Sequence, residues 1–174
     1  DIAHKMGVES KLEATPSLAL GSSDVNLLEL VDAYCTAMND GKQRKPILVT
    51  KILDRNGEVI YDCERDEPEA KAVIRYKTAF YLQRLLYGGM HEPGGTTQAL
   101  WEYIHCYDTE LGGKTGTSSN HSDAWFVGCA PNLVGGAWIG GEYRCIHFRT
   151  GALGQGSRTA LPVFGYFMDK VLAD

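Results

Sequence analysis

Several features that mark specialised classes of protein are absent from this sequence of 174 residues. It has five cysteines but no Cys-x-x-Cys pair, and no two of its five histidines lie three to five residues apart. These spacings argue against a disulfide framework and against a zinc site. The formal net charge of −5 makes the chain a poor candidate for a general nucleic-acid binder. We therefore expect neither a metal site nor a nucleic-acid partner.

The sequence also lacks a long apolar segment. Its longest uncharged run, residues 124–141, has 18 residues, a marginal length for a transmembrane helix. Five glycines and the pair Pro131-Asn132 interrupt this run, a composition typical of two strands joined by a tight turn. Residues 1–12 mix charged and apolar side chains and do not resemble a signal peptide. We therefore predict that this chain does not itself span a membrane.

Glycine, in contrast, is abundant and unevenly distributed. Twelve of the 20 glycines lie between Gly112 and Gly165, so the last third is expected to form strands and turns. Consecutive strands with short connections pair antiparallel, and helices cover such a sheet. We predict an α/β chain of the α+β type, with an antiparallel sheet packed against helices. The expected elements are helices over 2–6, 27–39, 71–87 and 97–103, a hairpin over 47–61, strands over 109–117, 123–129 and 133–140, and a terminal helix over 160–172, with residues 143–148 either extending the sheet or crossing its edge.

Local signals mark the ends of several of these elements. Asn26 and Glu29 have the capping-box spacing of a helix N-terminus. Asp40-Gly41 is suited to end the same helix, with glycine in the left-handed position. The dipeptide Asn56-Gly57 predicts a tight turn in the hairpin. Gly88-Gly89 is expected to end the second long helix.

The segment Gly112–Thr117, GGKTGT, carries the most specific chemical signal. It matches the end of a phosphate-binding loop, but that loop needs a glycine where this chain has Asp108. It also needs a helix that starts at Thr115, which the polar cluster at residues 118–120 would break. The alternative is the Lys-Thr-Gly strand of serine acyltransferases that act on penicillin and on D-Ala-D-Ala peptides, and this strand fits without either conflict.

Each residue type in such a strand has a chemical reason. Lys114 would hold positive charge near a nucleophile and help to move its proton. The hydroxyl of Thr115 would bind a substrate carboxylate, and Gly116 would let the backbone face the substrate without a Cβ. Thr117 would offer its N–H to an oxyanion. We therefore assign Lys114 and Thr117 as candidate catalytic residues, and Thr115, Gly116 and Thr117 as candidate substrate-binding residues.

The sequence around this strand resembles the penicillin-binding proteins of class A, the bifunctional group of the 1A type. In that family a polar linker follows KTGT and leads to an Asp-x-Trp-Phe-x-Gly strand, here Asp123–Gly128. The resemblance covers nearly the whole chain and implies the penicillin-binding, serine β-lactamase-like transpeptidase fold. Further segments that resemble the family are LGS at 20–22, LEL at 28–30, GTT at 95–97 with Ala99 and Leu100, LVGGAWIG at 133–140, and the closing segment at 150–168.

Two motifs of this family are missing from the chain. No serine is followed three residues later by lysine, so the Ser-x-x-Lys motif that holds the nucleophile is absent. Ser118-Ser119-Asn120 spells Ser-x-Asn, but it follows the Lys-Thr-Gly strand instead of preceding it, and we interpret it as a solvated turn. Both motifs lie upstream in the family. Residues 1–174 are therefore expected to be the C-terminal part of a transpeptidase domain and to be inactive alone.

The resemblance also implies what the longer protein does. It is expected to be a peptidoglycan D,D-transpeptidase whose serine attacks the penultimate D-Ala of a stem peptide and is acylated by β-lactams. Its expected partners are stem peptides, β-lactams, the rest of the transpeptidase domain and a glycosyltransferase domain, with no metal or organic cofactor. One N-terminal helix would anchor it at the periplasmic face of the bacterial inner membrane. The alternative is a non-catalytic module that binds peptidoglycan or a protein partner, which the missing serine favours.

Overall fold

The computed structural model describes residues 1–66 and 69–173. Its main feature is a three-stranded sheet with helices on both faces. The helices are α1 (Ile2–Lys5), α2 (Leu27–Met38), α3 (Cys63–Asp66), α4 (Tyr76–His91), α5 (Gly151–Gly154) and α6 (Ala160–Ala173), with 3₁₀ helices at Pro16–Leu20 and Gln98–Glu102. The strands are β1 (Lys42–Gln43), β2 (Lys51–Leu53), β3 (Val59–Asp62), β4 (Lys71–Ala72), β5 (Gly112–Thr117), β6 (Asp123–Ala130) and β7 (Leu133–Gly140).

The sheet has the strand order β5-β6-β7 and is antiparallel throughout, which confirms the prediction. Lys114 pairs with Val127, and Gly128 pairs with Gly135. Within the described residues, β6 is the strand neighbour of β5, so the other side of β5 is a free edge. This edge is the one that carries the Lys-Thr-Gly residues.

Helices α6 and α2 pack on opposite faces of the sheet, because successive strand residues point to opposite sides. A Cβ on Gly135 would lie 3.0 Å from the Phe164 ring of α6, whereas a Cβ on Gly136 would lie 2.7 Å from Val31 of α2. The same ring of Phe164 would lie 2.3 Å from a Cβ on Gly128. Phe164 is only 3% exposed and contacts Phe126, with ring centroids 5.1 Å apart. Paired glycines in β6 and β7 thus admit the side chain that holds α6 to the sheet.

The predicted capping box of α2 is confirmed. The Glu29 N–H donates to Asn26 Oδ1 over 3.0 Å, and the Asn26 N–H donates to Glu29 Oε1 over 2.7 Å. The helix ends at Met38, and Gly41 has the left-handed φ of +81° that its position predicts. Sequence signals at both ends of α2 therefore correspond to real hydrogen bonds and backbone geometry.

Glu29 does more than cap this helix. It is 5% exposed, and its carboxylate also accepts the backbone N–H groups of Glu9 and Ser10 and the Ser10 hydroxyl. Burial raises the pKa of Glu29, but the hydrogen bond from the Ser10 side chain and those from the Asn26, Ser10 and Glu9 N–H groups outweigh it. They lower the pKa from its usual 4.5 to about 2. Glu29 thus fastens the segment before the 3₁₀ helix Pro16–Leu20 to the start of α2.

We expect Glu29→Gln to lower the free energy of unfolding by about 3 kcal/mol at neutral pH. Because the folded-state pKa lies below the unfolded one, this stabilisation is present above pH 4.5 and is lost as the pH falls toward 2. In denaturant unfolding, the difference in free energy of unfolding between wild type and variant should therefore decrease as the pH falls from 4.5 toward 2. Glu102→Gln, at an exposed position, is the matched control. A difference in free energy of unfolding that does not change with pH would contradict the stabilising role of the ionised Glu29 carboxylate.

The second long helix differs from its prediction at both ends. It begins at Tyr76 because Lys71–Ala72 forms β4, which pairs antiparallel with β1. It continues through Gly88-Gly89 to His91. A Cβ on Gly89 would lie 3.1 Å from Thr97 Oγ1 and 3.3 Å from the Gly113 carbonyl oxygen of β5. Glycine here permits close packing of α4 against the sheet, and it does not end the helix.

The predicted hairpin is shorter than expected. Residues 47–50 lie outside the strands, and Leu53 pairs with Val59, so five residues connect β2 and β3. Asp54 Oδ1 organises this connection by accepting the N–H groups of Asn56 and Glu58, each over 2.8 Å. Gly57 has a φ of +89°, as the Asn56-Gly57 dipeptide predicts. A side-chain hydrogen-bond network thus replaces the tight two-residue turn.

Two further predictions concern the C-terminal part. The terminal helix is confirmed as α6. Residues 143–148 do not form a strand: the Arg144 carbonyl accepts Asn120 Nδ2–H over 3.0 Å, and the Phe148 N–H donates to the His121 carbonyl over 3.1 Å. This segment therefore folds over the β5–β6 turn. None of the helices in the described ranges is both long and apolar enough to cross a membrane.

Candidate active site

The candidate residues Lys114, Thr115, Gly116 and Thr117 occupy the last four positions of β5, at the free edge of the sheet. Lys114 and Thr117 are exposed, and the two residues between them are half-buried. The prediction that these residues lie on an edge strand antiparallel to the next one is therefore confirmed, and no helix opens at Thr115. This excludes the geometry of a phosphate-binding loop.

The first part of β5 is held tightly. A Cβ on Gly112 would lie 2.8 Å from the backbone of Leu86 and Tyr87 in α4, and one on Gly113 would lie 2.7 Å from the Phe126 ring. Both glycines are buried. The strand is thus fixed between α4 and the core immediately before Lys114, so the exposed end of β5 projects from a rigid base.

Lys114 is the free cation of this edge. Its Nζ donates to the Thr115 carbonyl oxygen over 2.6 Å, and it makes no ion pair with any residue in the ranges described. An unpaired ammonium group on an exposed strand is available to an anionic substrate or to a nucleophile.

The backbone of β5 also presents donors to the same edge. The Ser118 N–H donates to the Asp123 carbonyl oxygen over 3.0 Å and therefore points toward β6. Since N–H groups alternate in direction along an antiparallel strand, those of Thr115 and Thr117 point away from β6. An N–H that has no ladder partner can donate to a bound carbonyl oxygen or oxyanion.

The two threonine hydroxyls of β5 have different partners. Thr115 Oγ1 donates to Thr96 Oγ1 over 3.2 Å, so its proton is directed to the loop after α4. Thr117 Oγ1 accepts the N–H of Gly156 over 3.0 Å, which leaves its proton available. Neither Thr96 nor Gly156 was a predicted site residue. Thr96 lies in the segment at 95–97 and Gly156 in the closing segment at 150–168; both segments resemble the family, but neither residue has a predicted role.

The Ser-x-Asn sequence after β5 is a turn, as predicted. Ser118 Oγ accepts the Asp123 N–H over 2.8 Å and lies 3.0 Å from Ser122 Oγ. The Asn120 carboxamide oxygen accepts from the Ser122 hydroxyl over 2.9 Å. These serines stabilise the β5–β6 connection and do not face β5 across a cleft.

Neither the buried Cys129 nor a cavity adds a reactive group to this edge. Burial raises the pKa of Cys129 to about 12, with Cys35 adding to the effect, so Cys129 is a poor nucleophile at neutral pH.

A cavity of about 470 Å³ lies beside α6, and one of about 250 Å³ lies between α2, α4 and the start of β5. Neither is lined by residues 114–117, and the described residues contain no cluster of three metal-ligating side chains.

Comparison with known sequences shows which proteins this chain resembles. The family model described as "Penicillin binding protein transpeptidase domain" matches residues 5–140. Penicillin-binding protein 1A of Aquifex aeolicus is 34% identical over 171 residues, which cover 98% of this chain and 22% of that protein. Penicillin-binding protein 1A of Rickettsia conorii is 29% identical, covering 100% of this chain and 23% of that protein. The chain thus spans less than a quarter of the length of these relatives.

Solved structures agree with the sequence match. Penicillin-binding protein 1A of Haemophilus influenzae superimposes with a TM-score of 0.78 at 26% identity, over 93% of this chain and 28% of that one. PonA1 of Mycobacterium tuberculosis gives a TM-score of 0.77 at 22% identity, over 98% and 47% of the two chains. The predicted fold, helices packed on an antiparallel sheet in the penicillin-binding, β-lactamase-like manner, is confirmed. With more than half of its length matched by the family model, the chain belongs to the penicillin-binding protein transpeptidase domain family.

Proposed function

We propose that residues 1–174 are the C-terminal part of a transpeptidase domain and supply the Lys-Thr-Gly strand of a peptidoglycan D,D-transpeptidase. The observation that carries the proposal is the free edge of β5. An unpaired ammonium group, two outward N–H groups and one available hydroxyl proton occur there within four consecutive residues. Family membership gives this combination of groups its chemical context.

In the proposed mechanism the nucleophile comes from a Ser-x-x-Lys segment that precedes this chain in the longer protein. The serine oxygen bonds to the carbonyl carbon of the penultimate D-Ala, and the terminal D-Ala leaves as an amine that takes up a proton. The amine of a neighbouring stem peptide then attacks the acyl-serine and loses a proton, which restores the serine. A β-lactam forms the same bond to the serine, and its own ring amide opens.

The β5 residues stabilise charge in these steps. The N–H of Thr117 donates to the oxyanion that forms on the attacked carbonyl, because it points to the free edge. Lys114 places positive charge beside the nucleophile and assists its deprotonation. The Thr117 hydroxyl donates to the carboxylate of the substrate. Gly116 has no Cβ, which lets the backbone approach the substrate, and a Cβ there would also lie 3.1 Å from Trp125. Thr115, also assigned to substrate binding, donates its hydroxyl proton to Thr96 Oγ1 and so offers the substrate its outward N–H.

The remaining features of the longer protein belong to the same proposal. It would carry a glycosyltransferase domain, and one helix outside this chain would anchor it at the extracytoplasmic face of the membrane. The competing proposal is a non-catalytic module that uses the sheet edge to hold peptidoglycan or a protein partner. The absence of Ser-x-x-Lys from the sequence favours it for this chain taken alone.

Labelled penicillin distinguishes the two proposals. We expect one covalent adduct per molecule on a serine of the longer protein, and no serine adduct on the 174-residue chain, because acylation requires the nucleophile as well as the oxyanion donors. The measurement is a denaturing gel with intact mass and peptide mapping. Stoichiometric labelling of a serine within residues 1–174 would contradict the fragment assignment. No labelling of the longer protein would support the binding module.

A further inference from the structure

Gly156 lies in the segment before α6, far from β5 in sequence, yet it contacts the end of the candidate site. Its N–H donates to Thr117 Oγ1 over 3.0 Å, and its carbonyl accepts the Leu161 N–H over 2.8 Å. The residue is thus held on one side by the first turn of α6 and joined on the other side to the β5 edge. Through it, the packing of α6 on the sheet is connected to the hydroxyl of Thr117.

This connection requires glycine. Gly156 is buried, and a Cβ there would lie 2.4 Å from the Trp125 carbonyl oxygen and 2.5 Å from the Gly116 carbonyl oxygen. These contacts are with backbone atoms of β6 and β5, which cannot rotate away as a side chain can. Any larger residue at position 156 must therefore move its own backbone away from Thr117.

The hydrogen bond from the Gly156 N–H restricts where the Thr117 hydroxyl can direct its own proton. An amide N–H can only donate, so the Thr117 oxygen must act as acceptor toward Gly156. The hydroxyl proton is then available to another acceptor at this exposed edge. Thr115 shows the opposite arrangement, since its own proton is already donated to Thr96 Oγ1.

We propose that Gly156 is a positioning residue that orients the Thr117 hydroxyl as a donor to the substrate carboxylate, so that Thr117, and not Thr115, determines the preference for carboxylate-bearing substrates. This inference rests on the proposed function. It assigns a role in substrate discrimination to a glycine that touches neither the substrate nor the reacting atoms.

The test compares two substrates in the longer protein: a penicillin with its free carboxylate and the methyl ester of the same penicillin. For Gly156→Ala we expect the ratio of their second-order acylation rates to fall about 10-fold, since a hydrogen bond to a charged group is lost. The rate with the ester should stay within about 3-fold of wild type, because the ester has no carboxylate for the Thr117 hydroxyl to bind.

Gly154→Ala is the matched control. Gly154 is buried in the same segment, and a Cβ there would lie 2.7 Å from His121 and 2.8 Å from Phe148, so the crowding is similar but does not involve β5. We expect this variant to keep the wild-type ratio. If both alanine variants reduce the two rates equally, Gly156 has only a structural role and the inference is overturned.

A second set of variants tests the inference even if Gly156→Ala does not fold. Thr117→Val should abolish the preference for the carboxylate, whereas Thr115→Val should retain most of it. In the Thr117→Val background, Gly156→Ala should leave the ratio unchanged, because the two residues act through one hydroxyl. Loss of the preference in Thr115→Val alone would overturn the inference. A wild-type protein that is not acylated by the free penicillin would instead overturn the proposed function and this inference with it.

Discussion

Replacing Lys114 by alanine in the longer protein is expected to reduce the rate of penicillin acylation by about 100-fold or more. The side chain is exposed and makes no ion pair within the described residues, so its removal costs little packing. In the proposed mechanism, however, its ammonium group is the positive charge that the free edge of β5 offers to the nucleophile. Catalytic rate and stability should therefore respond very differently to this substitution.

Acylation rate and melting temperature should be measured on the same preparation. Lys170→Ala, at an exposed position on α6, is the control and should acylate like wild type. Lys114→Arg keeps the charge but changes the geometry and proton affinity of the group, so an intermediate rate is expected. Unchanged acylation in Lys114→Ala would remove this residue from the mechanism.

The largest effect on stability is expected for Phe164→Ala, which should lower the free energy of unfolding by about 3–5 kcal/mol. Phe164 is 3% exposed, and its ring fills the space above Gly128 and Gly135, which have no side chains. Alanine would leave a cavity lined by two glycines and Phe126, and glycines have no side chain that could move into it. Little relaxation is therefore available to reduce the cost.

Phe167→Ala is the matched control for this prediction, because it is the same substitution in the same helix at a side chain that is 53% exposed. Denaturant unfolding of both variants should show a loss several times larger for Phe164 than for Phe167. Equal losses would mean that α6 is held by its outer face and that the glycine contacts contribute little.

The sequence predicted elements well wherever their signals are local. Asn26 and Glu29 specify the start of α2 through bonds three residues apart, and the polar turn after β5 follows from residues 118–123 alone. The uncharged run 124–141, interrupted by five glycines and Pro131-Asn132, likewise predicted adjacent antiparallel strands.

The predictions failed where a tertiary contact decides the conformation. Gly88-Gly89 is a strong signal for a helix end, but packing of α4 against Gly113 and Thr97 makes glycine favourable within the helix. Lys71–Ala72 has no periodicity of its own and becomes a strand only because β1 lies beside it. A prediction from neighbouring residues in the sequence cannot take these packing and pairing partners into account.

The candidate site likewise combines residues that the local sequence predicts with residues that only the folded chain brings together. Residues 114–117 are recognisable because four consecutive positions carry the chemistry and a following strand carries the family resemblance. The partners of the two hydroxyls, Thr96 and Gly156, lie 19 and 39 residues from them in sequence. Their roles emerge only when the chain is folded, since neither residue type has chemistry that attracts notice by itself.

The space shared by Gly128, Gly135 and Phe164 also has a consequence for how the family diverges. A larger residue at position 128 or 135 requires a second substitution, since the ring of Phe164 already occupies the volume that its side chain needs. Sequences that gain an alanine or serine in β6 or β7 should carry a smaller residue at the position of Phe164, and the reverse exchange should occur as well. We expect these three positions to covary among distant homologues, whereas Phe167 on the outer face of the same helix should change independently.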